Sequence, residues 1–138
     1  AYRRLLEVAP YHQQGLNNLA WILGVDMGRP EDGLAFANKG ILRYPDDVHL
    51  LNTRGVLYYQ MGLYVEAEKD LKKCMSVAAK VPETLARTSL YLGRVYARQG
   101  MHKEARSAYS RAIEVDKKGT ILTPEERAES EQMSKIAS

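Results

Sequence analysis

The sequence has one cysteine, one tryptophan and one phenylalanine among its 138 residues, and it has no long run of apolar residues. A single cysteine cannot form a disulfide within the chain, so Cys74 is expected to be a small, buried packing residue. No segment approaches the roughly 20 consecutive apolar residues that cross a bilayer, and the first residues lack the apolar stretch and cleavage site of a secretory signal. The sequence therefore predicts neither membrane insertion nor targeting.

The residue patterns of catalytic and metal sites are also missing from the sequence. The three histidines, His12, His49 and His102, are far apart, and none has a partner at the spacing of a metal-ligand pair. There is no glycine-rich phosphate loop and no serine nucleophile elbow. The sequence therefore predicts a protein that is not an enzyme and that uses no cofactor and no metal ion.

Three segments of the sequence align with one another through small and apolar residues. Each has a small residue in its first half, at Ala20, Gly55 and Gly93, and these residues are 35 and 38 positions apart. The interval is close to the period of about 34 residues that is typical of helix–turn–helix repeats. The sequence therefore predicts a repeat protein.

Each segment also contains a glycine that is followed five positions later by a second small residue. The pairs are Gly28 with Gly33, Gly62 with Ala67, and Gly100 with Ala105. Glycine ends a helix in the left-handed conformation at little steric cost, and the small residue lets the next helix come close. The spacing predicts three hairpins, with helices over 13–27 and 30–43, 47–61 and 64–79, and 83–99 and 102–116. Further helices are predicted over 1–9 and 124–137.

These residues resemble the pattern of the tetratricopeptide repeat family, which the third segment, from Leu92-Gly93 to Ile113, matches best. The resemblance implies an all-α fold, a right-handed α-solenoid of antiparallel helix–turn–helix hairpins, here with a C-terminal capping helix. Three positions depart from the family pattern: Ala37 replaces a bulky residue, and Gly40 and Cys74 replace alanines. The first hairpin also has one extra residue between Ala20 and Gly28.

The repeat register divides the chain into one domain of several parts. Residues 1–12 are interpreted as the second helix of a truncated repeat, so we expect the chain to be a fragment of a larger protein. Repeats follow over 13–47, 48–85 and 86–119, and residues 120–138 form the capping helix. That helix begins at Thr123, Pro124 and Glu126, which have the pattern of a capping box.

The resemblance implies a protein-interaction scaffold that binds a peptide or partner protein in a concave groove, lined by the first helix of each hairpin. Spacings of three and four residues place the candidate side chains of each helix on one face. The candidate binding residues are Asn17, Asn18, Trp21, His49, Asn52, Thr53, Tyr59, Arg87, Tyr91, Arg94 and Arg98. Asparagines are expected to bond the peptide backbone, and arginines are expected to pair with acidic groups of the partner.

Purely structural roles are an alternative to binding at these positions. Trp21 and Tyr59 also fit core packing, the asparagines also fit a solvated surface, and the arginine stripe at Arg87, Arg94 and Arg98 also fits a solvated face. Trp21, Thr53 and Tyr91 stand where a two-carboxylate clamp for chaperone tails needs asparagine or arginine. Chaperone-tail binding is therefore not predicted.

The sequence leaves two other functions open. Residues 87–111 contain six basic residues against the single acidic Glu104, which suggests nucleic-acid binding as an alternative. The formal net charge of the whole chain is only +3, and this balance argues against that alternative. A structural spacer, or a segment that forms homo-oligomers through its exposed ends, is the other alternative.

Overall fold

The computed structural model of the chain describes Arg4 and residues 12–136. Within these residues the regular secondary structure is helical and contains no strand. The helices are α1 (Gln13–Trp21), α2 (Pro30–Arg43), α3 (Val48–Gln60), α4 (Tyr64–Val77), α5 (Pro82–Arg98), α6 (His102–Val115) and α7 (Pro124–Met133). The predicted all-α fold class is confirmed. The helix predicted over 1–9 lies outside the described residues, apart from Arg4.

In each of the three hairpins one glycine ends the first helix, as the spacing predicted. Gly28, Gly62 and Gly100 have φ angles of 66°, 76° and 75°. The Cβ atom of any other residue makes this left-handed conformation sterically costly, whereas glycine adopts it readily. The turns are therefore fixed by the sequence itself. Proline at the first helical position, where its missing N–H is not needed, starts α2 at Pro30 and α5 at Pro82.

The extra residue of the first hairpin is accommodated by a π-helical turn. Residues Ile22–Asp26, which directly follow α1, form π-helix, and Met27 N donates to Ile22 O across 2.9 Å. Eight positions separate Ala20 from Gly28, whereas seven separate Gly55 from Gly62. A wider helical turn takes up one residue without ending the helix. The insertion therefore changes the helix locally and leaves the hairpin intact.

The chain divides into two compact units, Ala1–Asp70 and Leu71–Ser138. In the first unit, a buried cluster joins α1, α2 and α3. Its members are Ala20, Ala37 and Leu57, with Val25, Leu34 and Phe36 packed against them. Ala37 stands where the family pattern has a bulky residue, and the fully buried Leu57 of α3 provides apolar volume in the same cluster. This packing explains how the departure at Ala37 is tolerated.

A partly buried ion pair also stabilises the first unit. Arg54 of α3 donates from Nε to Asp70 Oδ2 at 2.6 Å and from Nη2 to Asp70 Oδ1 at 2.8 Å. Its Nη1 donates to Asn38 Oδ1 at 3.1 Å. The side chain of Asp70 is only 5% exposed. The hydrogen bond to Asp70 raises the pKa of the Arg54 guanidinium above its ordinary value, although burial opposes the shift.

In the second unit, α5 and α6 form a tightly packed hairpin. A Cβ at Gly93 would lie 2.8 Å from the ring of Tyr109, so this position requires glycine. The ring of Tyr109 in α6 therefore packs directly against the backbone of α5 at Gly93. Cys74 is buried and its Sγ lies 3.4 Å from Thr88 Oγ1, in agreement with the packing role expected for it.

The C-terminal helix α7 begins as predicted and ends earlier than predicted. Thr123 Oγ1 accepts from Glu126 N, and Thr123 N donates to Glu126 Oε1, which completes the capping box. The helix ends at Met133; Ser134 then donates its hydroxyl to Glu131 O, and the backbone continues as a turn. Within α7, Ser130 is fully buried, whereas Ala128 is exposed.

Candidate functional site

A polar cavity of about 750 Å³ lies on the first unit and brings together residues of α1, α3 and the turns before them. Its lining residues are His12, Gln13, Gln14, Asn17, Asn18, Tyr44, Asp47 and His49. We call Gln14, Asn17, Asn18 and His49 the amide face, after the carboxamide side chains of the first three. Three of these four, Asn17, Asn18 and His49, are binding residues predicted from the sequence. Side-chain amides carry both a donor and an acceptor, so this cavity is suited to a ligand with both kinds of group.

Asn17 is held in place by a neighbouring helix. Thr53 of α3 donates from Oγ1 to Asn17 Oδ1 across 2.7 Å. Thr53 itself is only 3% exposed, so its hydroxyl fixes the amide and does not face a ligand. The bond uses the oxygen of Asn17, and the Nδ2 donors are not part of it. Thr53 was predicted as a binding residue, and the structure places it as a support for Asn17.

Two cavity residues also cap helices. His12 Nδ1 accepts from Gly15 N at 2.8 Å at the start of α1, and Asp47 Oδ1 accepts from Leu50 N at 2.9 Å at the start of α3. Gln13 Nε2 donates to the other carboxylate oxygen of Asp47. These bonds satisfy N–H groups that a helix leaves unpaired in its first turn. Two residues that line the cavity therefore also stabilise the starts of α1 and α3.

The other predicted residues of the first unit are half-buried. Trp21 and Asn52 belong to this group, as does Tyr59, whose ring centroid lies 6.0 Å from that of Tyr64 in a tilted arrangement. Aromatic rings at this separation stabilise packing beyond the area they bury. Tyr59 therefore takes part in the packing of α3 against α4.

In the second unit, the predicted arginines lie beside the C-terminal helix. Arg94 donates from Nε to Glu129 Oε2 at 2.9 Å and from Nη2 to Glu129 Oε1 at 2.7 Å. The Arg94 guanidinium lies 4.8 Å from the ring centroid of Tyr91. Tyr109 donates to the same carboxylate across 3.0 Å. The hydrogen bond from Arg94 holds the pKa of Glu129 below its ordinary value, against the effect of burial.

Arg87 also contacts the C-terminal segment. Its Nη1 lies 3.4 Å from Glu126 Oε2, and its Nη2 donates to Ile121 O at 3.3 Å. We call Arg87, Tyr91 and Arg94 the arginine face. Burial raises the pKa of Tyr91, and the charge of Arg94 opposes that shift. Arg98, the last predicted arginine of the stripe, is exposed at the end of α5.

A buried carboxylate organises the segment before α7. Asp116 is 1% exposed and accepts from the backbone N–H groups of Thr120, Ile121 and Leu122 at 3.0 to 3.1 Å. Arg127 donates to Asp116 O at 2.7 Å. Burial works to raise the pKa of Asp116, but the three amides and the charge of Arg127 outweigh it, and the pKa is lowered. Asp116 therefore orders residues 120–122, which lead into the Thr123 cap of α7.

Sequence reasoning missed the acidic partners of the arginine face. From the sequence, Glu126 was assigned only to the capping box, and no partner was predicted for Glu129. A signal was present, since 35 positions separate Arg94 from Glu129 and 36 separate Asn17 from Thr53. Both intervals are close to one repeat, the distance at which neighbouring first helices meet.

The described part of the chain contains no group of three or more His, Cys, Asp or Glu side chains placed to bind a metal ion. A search of the described residues for a helix with the length and apolarity of a membrane span found none.

Several solved structures have a fold similar to this chain over nearly its whole length. PilW, a widely conserved type IV pilus biogenesis factor, aligns with a TM-score of 0.75 and 19% identity over 96% of this chain and 62% of PilW. MamA aligns with a TM-score of 0.73 and 18% identity, over 97% of this chain and 82% of MamA. A tetratricopeptide repeat protein from Parabacteroides merdae aligns with a TM-score of 0.75 and 26% identity, over 96% of this chain and 49% of that protein.

The chain spans less than two thirds of PilW and of the Parabacteroides protein, so it corresponds to a part of each. A comparison with curated protein sequences gave no significant match. The family model described as tetratricopeptide repeat matches residues 46–118, which include the second and third hairpins. With the repeat pattern, the helical hairpins and this match together, the chain belongs to the tetratricopeptide repeat family.

Proposed function

We propose that this domain is a protein-interaction module, and that the amide face of its first unit binds an extended segment of a partner protein. The observation that carries the proposal is the polar cavity, which gathers Gln14, Asn17, Asn18 and His49 in one place. An extended peptide presents N–H and C=O groups along its whole length. Carboxamide side chains pair with either group, so they bind a backbone with little dependence on its sequence.

The anchoring of Asn17 supports this proposal. A side chain that is already fixed loses less conformational entropy when a ligand binds, and affinity per hydrogen bond rises accordingly. The buried hydroxyl of Thr53 fixes the oxygen of Asn17, and the Nδ2 donors take no part in that bond. The charges of the cavity favour a peptide without acidic residues there, since Asp47 is the charged side chain among its lining residues.

The paired arginines argue against nucleic acid as the main ligand. Phosphate binding needs uncompensated basic side chains. Arg87 and Arg94 pair with Glu126 and Glu129, which lowers the positive charge of the segment that suggested this alternative. We therefore favour a protein partner over a nucleic acid.

The test is a selection of peptides from a random display library on the intact chain. Binding of the selected peptides is then measured by fluorescence anisotropy for the wild type and for the Gln14→Ala/Asn18→Ala variant. Loss of hydrogen bonds from the amide face should weaken binding by about 10- to 100-fold. Circular dichroism should show unchanged helical content.

The matched control is Glu66→Ala/Lys69→Ala, which removes two exposed side chains of α4 and leaves the net charge unchanged. This variant should bind the selected peptides as the wild type does. Equal affinity for the wild type and the Gln14→Ala/Asn18→Ala variant would contradict the proposal. Failure to select any peptide would favour the structural-spacer function.

A further inference from the structure

The C-terminal helix is seated on the arginine face through charged groups. The two bonds from Arg94 to Glu129, at 2.9 and 2.7 Å, have the fork geometry in which a guanidinium binds a carboxylate most strongly. Tyr109 adds a third bond to that carboxylate at 3.0 Å. The ring of Tyr91 lies beneath the guanidinium and contributes a cation–π contact. The arginine face is thus a formed binding site for a carboxylate on a helix.

A second carboxylate one helical turn away extends this site. Glu126 and Glu129 are three positions apart, so they project from the same side of α7. Glu126 approaches Arg87, which is seven positions before Arg94 on α5. Two acidic side chains on one helix therefore meet two arginines on another. The spacing defines a ligand, an acidic helix with carboxylates at positions i and i+3.

Few apolar contacts hold α7 in place. Its ten residues, PEERAESEQM, include four glutamates, and its buried side chain is that of Ser130. Burial of apolar area is the main favourable term in helix docking, and here it is small. The charged contacts that remain are partly exposed, so salt screens them and weakens their hold on α7. The short segment from Asp116 to Thr123 keeps α7 near its site, which raises its local concentration.

We propose that the arginine face is a binding surface for an acidic helical segment of a partner protein, and that α7 occupies it as a displaceable ligand within the chain. The partner segment replaces the carboxylates of Glu126 and Glu129 with its own. Access to the surface is then set by competition with α7. This surface lies on residues 87–129 and involves side chains other than those of the amide face, so each proposal stands without the other.

The test uses a fluorescein-labelled synthetic peptide with the sequence of residues 121–136 as the acidic probe. It is titrated into the intact chain and into the Glu126→Gln/Glu129→Gln variant. Glutamine keeps the shape of glutamate and the capping box, so α7 remains helical while losing the two negative charges that face the arginines. The variant should bind the peptide at least about tenfold more tightly than the wild type does, because its own helix competes less well. Adding Arg94→Ala to the variant should abolish the gain.

The matched control is Glu125→Gln/Glu131→Gln, which removes the same charge from two exposed positions of the same helix that do not pair with the arginine face, since Glu131 pairs with Arg127 of its own helix at 3.3 Å. It should bind the peptide no better than the wild type. The proposal is overturned if this control gains as much affinity as the Glu126→Gln/Glu129→Gln variant. It is overturned too if a single-stranded RNA binds that variant as tightly as the peptide, since the face would then select phosphate.

A measurement on the unmodified chain tests the proposal even if the variants fail to fold. Amide hydrogen exchange of residues 124–133 is compared in about 0.1 M and about 1 M salt, between which the screening length falls about threefold. Protection of α7 should drop severalfold with added salt while that of α5 and α6 stays constant. Protection of α7 that is insensitive to salt would overturn the proposal, because charge would not be what holds the helix.

Discussion

The hydroxyl of Tyr109 donates a hydrogen bond to Glu129 across 3.0 Å, so a residue of the hairpin core holds a carboxylate of the C-terminal helix. Tyr109 is 2% exposed, and its ring lies against Gly93. One side chain therefore serves two purposes. Its ring fills the space between α5 and α6, and its hydroxyl orients the carboxylate that Arg94 binds.

Replacing Tyr109 with phenylalanine separates these two purposes. The ring stays in place, but the bond to the ionised carboxylate is lost, and we expect a loss of about 1–2 kcal/mol in the free energy of unfolding. Urea denaturation followed by circular dichroism measures it. Tyr64→Phe is the control, since that tyrosine packs its ring against Tyr59 at the surface of the first unit. Equal losses in both variants would show that the hydroxyl of Tyr109 contributes nothing specific.

Acid should weaken the attachment of the C-terminal segment. The pKa values of Asp116 and Glu129 are both lowered in the folded chain, so the folded state binds fewer protons than the unfolded state at acidic pH. Their contribution to stability is fully present above the unfolded values of about 4, and it is lost as the pH falls through the lower folded values. Thermal unfolding measured between pH 7 and pH 3 should show this decline.

The variant Asp116→Asn tests the source of the acid effect. Asparagine is neutral at every pH and keeps only one acceptor oxygen, so the variant should be less stable at pH 7 and should lose less stability on acidification. The control Asp32→Asn changes an exposed carboxylate near a helix start in the first unit. If Asp116→Asn loses as much stability on acidification as the wild type, the buried carboxylate is not responsible.

Alanine at position 33 should destabilise the first hairpin, although the matching residues of the other repeats are Ala67 and Ala105. A Cβ at Gly33 would lie 2.5 Å from Ala20 O and 2.8 Å from Gly24 Cα, and these backbone atoms cannot move aside cheaply. We expect Gly33→Ala to cost about 1–3 kcal/mol through overpacking.

The control for this substitution is Gly40→Ala in the same helix. A Cβ there meets only the flexible side chain of Leu50, at 2.7 Å or more, so its cost should be clearly smaller. Chemical denaturation of both variants gives the comparison. A smaller loss for Gly33→Ala than for Gly40→Ala would mean that the close approach beside the π-helical turn is not rigid.

The ion pair between Arg54 and Asp70 should be replaceable by an apolar pair taken from the third repeat. By register, Leu92 corresponds to Arg54 and Ala108 corresponds to Asp70. Arg54→Leu alone leaves a nearly buried carboxylate without its cation, and we expect it to cost about 3 kcal/mol. The double variant Arg54→Leu/Asp70→Ala should recover most of that loss. Unfolding midpoints in urea distinguish these outcomes, and no recovery in the double variant would contradict the repeat register.

Much of the fold was predictable because its determinants are local. Gly28, Gly62 and Gly100 end helices through their own backbone freedom, and Thr123 with Glu126 starts one through bonds to its first turn. The small residues five positions after these glycines predicted a close approach of the second helix, and all three are buried. Such signals need only neighbouring residues, so the helix positions followed from the sequence.

The candidate sites were only partly predictable. Helical spacing placed Asn17, Asn18 and His49 on suitable faces, and the structure gathers them around one cavity. Spacing could not show that Thr53 is buried beneath Asn17, because burial depends on how α1 and α3 pack together.

The sequence by itself determined the repeat, the turns, the helix starts and the family of this chain, since periodicity and turn chemistry act over a few residues. Only the tertiary structure decided which charges meet. Arg94 and Glu129 are 35 positions apart, and their pairing depends on the docking of α7 against α6 and on the rotamers of two long side chains. The same holds for Asp116, which is buried and accepts hydrogen bonds from three backbone N–H groups of the loop before α7. Such contacts cannot be predicted from local sequence, because they form only when separate helices pack together.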